Sequence, residues 1–133
     1  MVSMRLRIDT RRASVHIARH WVKDHAHERG LSREIVEVAE LLTSELVANA
    51  VLHGEGEICI ALHIDDVELT VAVTDDGDGL PIMRTTGPEV PGGHGVRIVE
   101  RLATRWGVQP HDVGGKTVWF AVALGDISPT SAL

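Results

Sequence analysis

The chain has 133 residues, 44% of them hydrophobic and 24% charged, a balance that suits one compact core and excludes a disordered or collagen-like protein. Its formal charge of -6, with one Phe, three Trp and no Tyr, excludes a general attraction to nucleic acid backbones or anionic lipid and leaves few rings on which single strands could stack. The single cysteine, Cys59, excludes an internal disulfide and a thiolate zinc site, while the opening residues Met1 to Arg7 lack an apolar leader segment and no run is long enough for a bilayer, so a cytoplasmic protein without direct nucleic acid or membrane contact is expected.

Taken in chain order, Arg5 to Asp9 alternates charged and apolar residues and predicts a short edge strand. From Thr10 to Glu28, Ala13, Ile17, Ala18, Trp21 and Val22 recur at three- and four-residue spacing, which predicts an amphipathic helix ended by Gly30. Ser32 offers an N-cap to a second helix that runs to His53 and closes at Gly54. Two alternating runs follow, Ile58 to Ile64 and Val67 to Val73, joined at Asp65-Asp66; one face is apolar and the other bears Glu57, Cys59, His63, Glu68, Thr70 and Thr74. That pattern predicts a hairpin in an antiparallel sheet covered on one side by helices. Residues 75–93 hold glycines and Pro81, Pro88 and Pro91 without a sustained period, the composition of a long functional loop. A third helix is expected from Gly95 to about Arg105, and Thr117 to Leu124 alternates again as a strand. The expected order is β-α-α-β-β-loop-α-β-β in a single domain spanning 1–133, with a core over about 5–124 and a frayed tail over 125–133.

Three groups of residues could do chemistry. In the second helix Glu45 and Asn49 lie about 40° apart, on a stripe that also holds Leu41, Leu42 and Leu52, where an unpaired carboxylate is expensive. Such a pair serves either as a structural hydrogen bond or helix edge, or as an oxygen for Mg²⁺ with a carboxylate that deprotonates a nucleophile at a terminal phosphate. Thr74-Asp75-Asp76-Gly77-Asp78-Gly79 follows a strand directly. It is either a plain Asp-Gly turn or a place where backbone approaches a ligand and a carboxylate accepts from an exocyclic amine. Its carboxylate spacing does not make a calcium loop. Gly92-Gly93-His94-Gly95 before a helix is either simple capping or a phosphate site built from free N–H groups. The Lys-Ser/Thr of a P-loop and the early-strand glycines of a Rossmann unit are absent. Of eight histidines, His16 and His20 have metal-compatible spacing but no accompanying Glu, and no Gly-x-Ser-x-Gly is present.

In this order the three groups resemble the N box and the two glycine boxes of the GHKL superfamily, which includes gyrase, the heat-shock chaperone ATPase, histidine kinases and MutL. Ser44-Glu45 through Asn49 to His53-Gly54, together with the ending Gly114-Gly115-Lys116-Thr117-Val118-Trp119-Phe120, look like the RsbW-type anti-sigma-factor serine/threonine kinases over about Arg5 to Leu124. The resemblance implies an α+β class, a two-layer α/β sandwich of the Bergerat type with a mostly antiparallel sheet and helices on one face. It implies ATP and Mg²⁺ as cofactors, with Glu45 as base, Asn49 on Mg²⁺, and Asp75 on the adenine amine. Gly77 and Gly79 would line the base, Gly93 and Gly95 would meet the phosphates, and Thr117 would assist near adenine; His53, His94 and Val96 fall in the same nucleotide site. The implied function is an ATP-dependent protein kinase that sequesters a sigma factor and phosphorylates Ser or Thr of a STAS-domain antagonist, as a homodimer. The alternative is a non-catalytic regulator whose ATP only prepares a partner-docking surface.

Overall fold

The computed structural model describes residues 1–77 and 99–125. Its elements are β1 (Val2–Ile8), α1 (Ala13–Glu28), α2 (Arg33–His53), β2 (Ile58–Ile64), β3 (Glu68–Asp75), β4 (Arg105–Pro110) and β5 (Lys116–Ala123). The strands form one sheet in the order β1-β2-β3-β5-β4, antiparallel at every pairing. This is the expected α+β sandwich. Residues 99–102 are helical and belong to the helix expected from Gly95, whose earlier part lies outside the described residues.

Alternation decides the inner face of each strand. Ile58, Ile60, Leu62 and Ile64 of β2, Leu69, Val71 and Val73 of β3, and Val118, Phe120 and Val122 of β5 are buried together with Val22, Val36, Leu42, Leu46 and Val47 of the helices. Each large side chain fully buried in this way contributes about 1.5–3 kcal/mol. The inward set of α1 is Ser14, Ala18, Val22 and Ala26, spaced by four, whereas Ile17 points outward. Small residues on that stripe let α1 lie close against α2.

The helix ends follow from local chemistry. Gly30, at φ 76°, closes α1 in a Schellman arrangement: its N–H donates to the His27 carbonyl and that of Leu31 to the Ala26 carbonyl. Ser32 caps α2 by accepting from the Ile35 N–H at 3.2 Å. Three boundaries differ from the sequence reading. β1 begins at Val2, because Val2, Met4, Leu6 and Ile8 already alternate against β2. Helix α1 begins at Ala13, since Asp9 to Arg12 form a turn in which the Arg11 N–H bonds the Asp9 carbonyl. The third helix stops before Arg105, where β4 pairs with β5 and the Thr104 N–H already joins that ladder at the Ala121 carbonyl.

The β2–β3 turn is fastened by Asp65, whose Oδ1 accepts from the N–H groups of Val67 at 2.8 Å and Glu68 at 2.9 Å. These two bonds, the Glu68 bond first, hold the Asp65 carboxyl below its ordinary range against a small opposing effect of burial, with lesser help from His63. Because the folded value is depressed, the stabilisation is complete above the unfolded carboxyl range and is lost as pH falls through the folded one. Asp65→Asn is therefore expected to be less stable than the parent near neutral pH and to converge with it in acid. Urea melts of both proteins at about pH 7 and about pH 3 check this.

Candidate functional site

At one end of the sheet three chain segments meet around Asp75, the last residue of β3. Asp75 follows Val71 and Val73 on the inner face, so alternation turns its carboxylate toward the helices, and it is only 2% exposed. Its cross-strand partner is Lys116, the first residue of β5, which shares the inner face with Val118 and Phe120 and is 3% exposed. The Lys116 ammonium lies 3.0 Å from both Asp75 oxygens, and the Gly77 N–H donates to Oδ1 at 2.7 Å. A buried carboxylate is tolerated only with such partners.

Glycines allow the segments to come this close. A Cβ on Gly54 would stand 2.6 Å from the Asp75 carboxyl carbon, and one on Gly77 would stand 3.0 Å from the Gly54 Cα. Gly115, at φ 90°, brings β5 against the Asp75 carbonyl, where a Cβ would sit 2.6 Å from the oxygen. The Asp76 N–H also donates to the Glu55 carbonyl at 3.0 Å. The end of α2, the turn after β3 and the start of β5 are thus fixed to one another.

The end of helix α2 reaches the same place. Glu45, Asn49 and His53 recur every fourth residue and lead to Gly54, which abuts Asp75. Glu45 and Asn49 are half-buried and His53 is exposed. The stripe differs from the sequence expectation: Leu42 is buried, but Leu41 is 40% and Leu52 65% exposed. The buried arc of α2 runs through Ala39, Leu42, Thr43, Leu46, Val47 and Ala50, and Glu45 and Asn49 stand on its border. A border position reconciles two polar side chains with a packed helix.

Thr117 lies elsewhere. It pairs with Thr74 on the outer face of the sheet, where the two hydroxyls are 2.8 Å apart and His111 Nε2 is 2.9 Å from the Thr117 hydroxyl. The residue of that segment on the Asp75 side is Lys116, which the sequence reading passed over. The signal was present, because continuing the Val118, Phe120 and Val122 alternation back by two positions selects Lys116. Gly79, Gly93, His94, Gly95 and Val96 lie outside the described residues. Among the described residues no group of three or more His, Cys, Asp or Glu could hold a metal by itself. Asn49 supplies one neutral oxygen, a donor suited to Mg²⁺ that keeps water and phosphate oxygens as its other ligands.

The family profile of the histidine kinase-like ATPase domain matches residues 8–122. The chain belongs to that family. This histidine kinase-like ATPase domain shares the fold of the crystal structure of the RsbU and RsbW domains of a Mycobacterium tuberculosis protein, with a TM-score of 0.71 at 20% identity over 93% of this chain and 33% of that one. It is also similar to the histidine kinase domain of a blue-light activated histidine kinase from Erythrobacter litoralis, with a TM-score of 0.50 at 27% identity over 68% of this chain and 45% of that one. The chain therefore spans less than half the length of either structure. No curated protein matches it. Membership assigns ATP as the nucleotide of this ATPase domain, and among the described residues no helix is long and apolar enough to cross a membrane.

The glycine contacts generate a contrast. Gly115→Ala meets both a positive φ and a backbone oxygen, so a loss of about 2–4 kcal/mol is expected. Gly30→Ala meets a positive φ with nothing within 4 Å, so about 1 kcal/mol is expected. Denaturant midpoints of the two variants measure the difference, and equal losses would contradict the packing described around Asp75.

Proposed function

We propose that this domain binds Mg-ATP along the α2 stripe and the Asp75 turn and transfers the terminal phosphoryl group to a Ser or Thr hydroxyl of a STAS-domain antagonist, while sequestering a sigma factor. The observation that supports this most is the convergence of a buried, glycine-flanked carboxylate with the C-terminal end of the helix bearing Glu45 and Asn49. Glu45 precedes His53 by eight residues, about 12 Å along the axis. That span suits a ligand with a base at one end and a triphosphate at the other.

Each end has its task. Asp75 accepts from the exocyclic amine of adenine, with Gly77 beside the base. Asn49, with Gly93 and Gly95 of the segment beyond the described residues, serves the phosphate end; His53, His94 and Val96 complete the nucleotide contacts, and Thr117 supports the strand next to Asp75. Mg²⁺ bound through Asn49 would neutralise phosphate charge and screen the approach of the nucleophile. Glu45 accepts the proton of the attacking hydroxyl as its oxygen bonds to the γ-phosphorus. The bond from that phosphorus to the bridging oxygen breaks, and ADP leaves.

The sigma factor, the STAS-domain antagonist and the homodimer are proposed from the RsbW-type pattern around Glu45, Asn49 and His53 and from the likeness to a structure that contains an RsbW domain. In the same reading the protein works in the cytoplasm.

Base and nucleotide anchor are separable by mutation. Glu45→Gln is expected to lower phosphoryl transfer by roughly 10²–10⁴-fold with ATP affinity within about threefold of the parent. Asp75→Asn should weaken ATP binding itself. Incubation with γ-labelled ATP and purified STAS-domain proteins of the host, alongside calorimetric titration with Mg-ATP, reads both. Parent protein that binds ATP and labels no STAS protein would leave the non-catalytic, ATP-dependent regulator as the function.

A further inference from the structure

The chain has two lysines against eleven arginines, and one of those two lies inside the protein at Lys116. Everywhere else but Lys23 the cationic role is given to Arg. A buried ammonium is costly unless a well-placed opposite charge and hydrogen bonds offset its loss of water. Here it lies 3.0 Å from both oxygens of the carboxylate that, in the function proposed above, reads the base.

The acceptor capacity of that carboxylate is limited. An ionised carboxylate offers about four acceptor positions and no donor. Gly77 N–H and the Lys116 ammonium occupy Oδ1, and the ammonium also occupies one position of Oδ2. Counting the described residues alone, one position remains, on Oδ2, and it accepts only. Among the described residues the other titratable groups near this end of the adjoining elements stand in solvent: His53 at the end of α2, Glu55 and Asp76 in the flanking turns, and His111 and Asp112 before β5 are all exposed, and Glu45 is two turns up the helix. Lys116 is the cation among the described residues that meets Asp75.

We propose that Lys116 is the positioning residue that makes this site selective for a base with an exocyclic amine, by holding Asp75 as an oriented acceptor with a single open position. The inference rests on the ATP-site reading and adds a residue and a selectivity rule to it. Burial without a cationic partner favours the neutral form of a carboxyl. Its O–H then donates to a keto oxygen as readily as its carbonyl oxygen accepts from an amine, and 6-amino and 6-oxo purines become equivalent.

The test compares Mg-ATP with Mg-ITP, which differ at that one position of the ring, by calorimetric titration of the full chain at about pH 6 and about pH 8. The parent is expected to prefer ATP by roughly a hundredfold or more at both values, since a site built for an N–H donor rejects the analogue that lacks it. Lys116→Met keeps the side-chain volume and removes the charge. Its preference should fall to within about threefold at the lower pH and be larger at the higher. Lys116→Gln, which keeps a donor toward Asp75 but no charge, repeats the test if the Met variant does not fold by circular dichroism. A folded variant with the parent's ATP-to-ITP ratio at both pH values, including one that loses affinity equally for both nucleotides, overturns the role of Lys116 and leaves the ATP site standing. A parent that binds neither nucleotide overturns the ATP site instead, and a parent that binds both alike overturns the reading of Asp75.

Discussion

A carboxylate with 2% of its surface exposed dictates what surrounds it. Asp75 is placed inside by strand alternation, one step beyond Val73 on the same face, and removal from water would cost several kcal/mol without compensation. Three features supply that compensation: the Lys116 ammonium, the Gly77 N–H, and glycines that let backbone come near enough for both. The turn after β3, the start of β5 and the end of α2 are fixed by one requirement. The rest of the sheet could be repacked with other aliphatic residues of similar volume, but this corner could not.

The corner also explains the chain order. Asp75 and Lys116 are 41 positions apart, yet they lie on neighbouring antiparallel strands, so everything between them leaves and returns at the same end of the sheet. Val99 of the intervening chain lies in the core, and β4 follows it at the edge of the sheet beside β5.

Much of this was legible before any coordinates. The hairpin of β2 and β3 and the two helices follow from period-two and three-to-four-residue patterns and from Ser32, Gly30 and Gly54 at their ends. β4 could not be located, because Arg105 to Pro110 is short, contains Gly107 and Pro110, and shows its alternation only once Trp106 and Val108 are seen opposite Phe120 and Val118. The stripe on α2 was placed one notch too deep: angular arithmetic ranks neighbours but does not fix where the buried arc is centred, and packing centred it on the Ala39 and Leu46 side. Thr117 entered the site reading through the family resemblance, which does not mark Lys116. Parity along β5 places Lys116 on the inner face, and a charge that obeys the parity of a core strand signals a buried partner.

The same parity separates two polar systems that are adjacent in sequence and divided by the sheet. Thr117 bonds both Thr74 and His111 on the outer face, whereas Asp75 and Lys116 bond on the inner one. A shift of one residue in the β3–β5 register, with β3 kept in place, would turn Lys116 to water and bring Thr117 to the Asp75 side, reversing every inward and outward assignment on β5. The pairing of Val71 with Phe120 and Val73 with Val118 opposes that slip, since it would expose Phe120 and Val118 as well. Apolar packing along the middle of β3 and β5 is thus what aims the ion pair at the helix side. The chemistry at the end of the sheet is set by residues that never touch it.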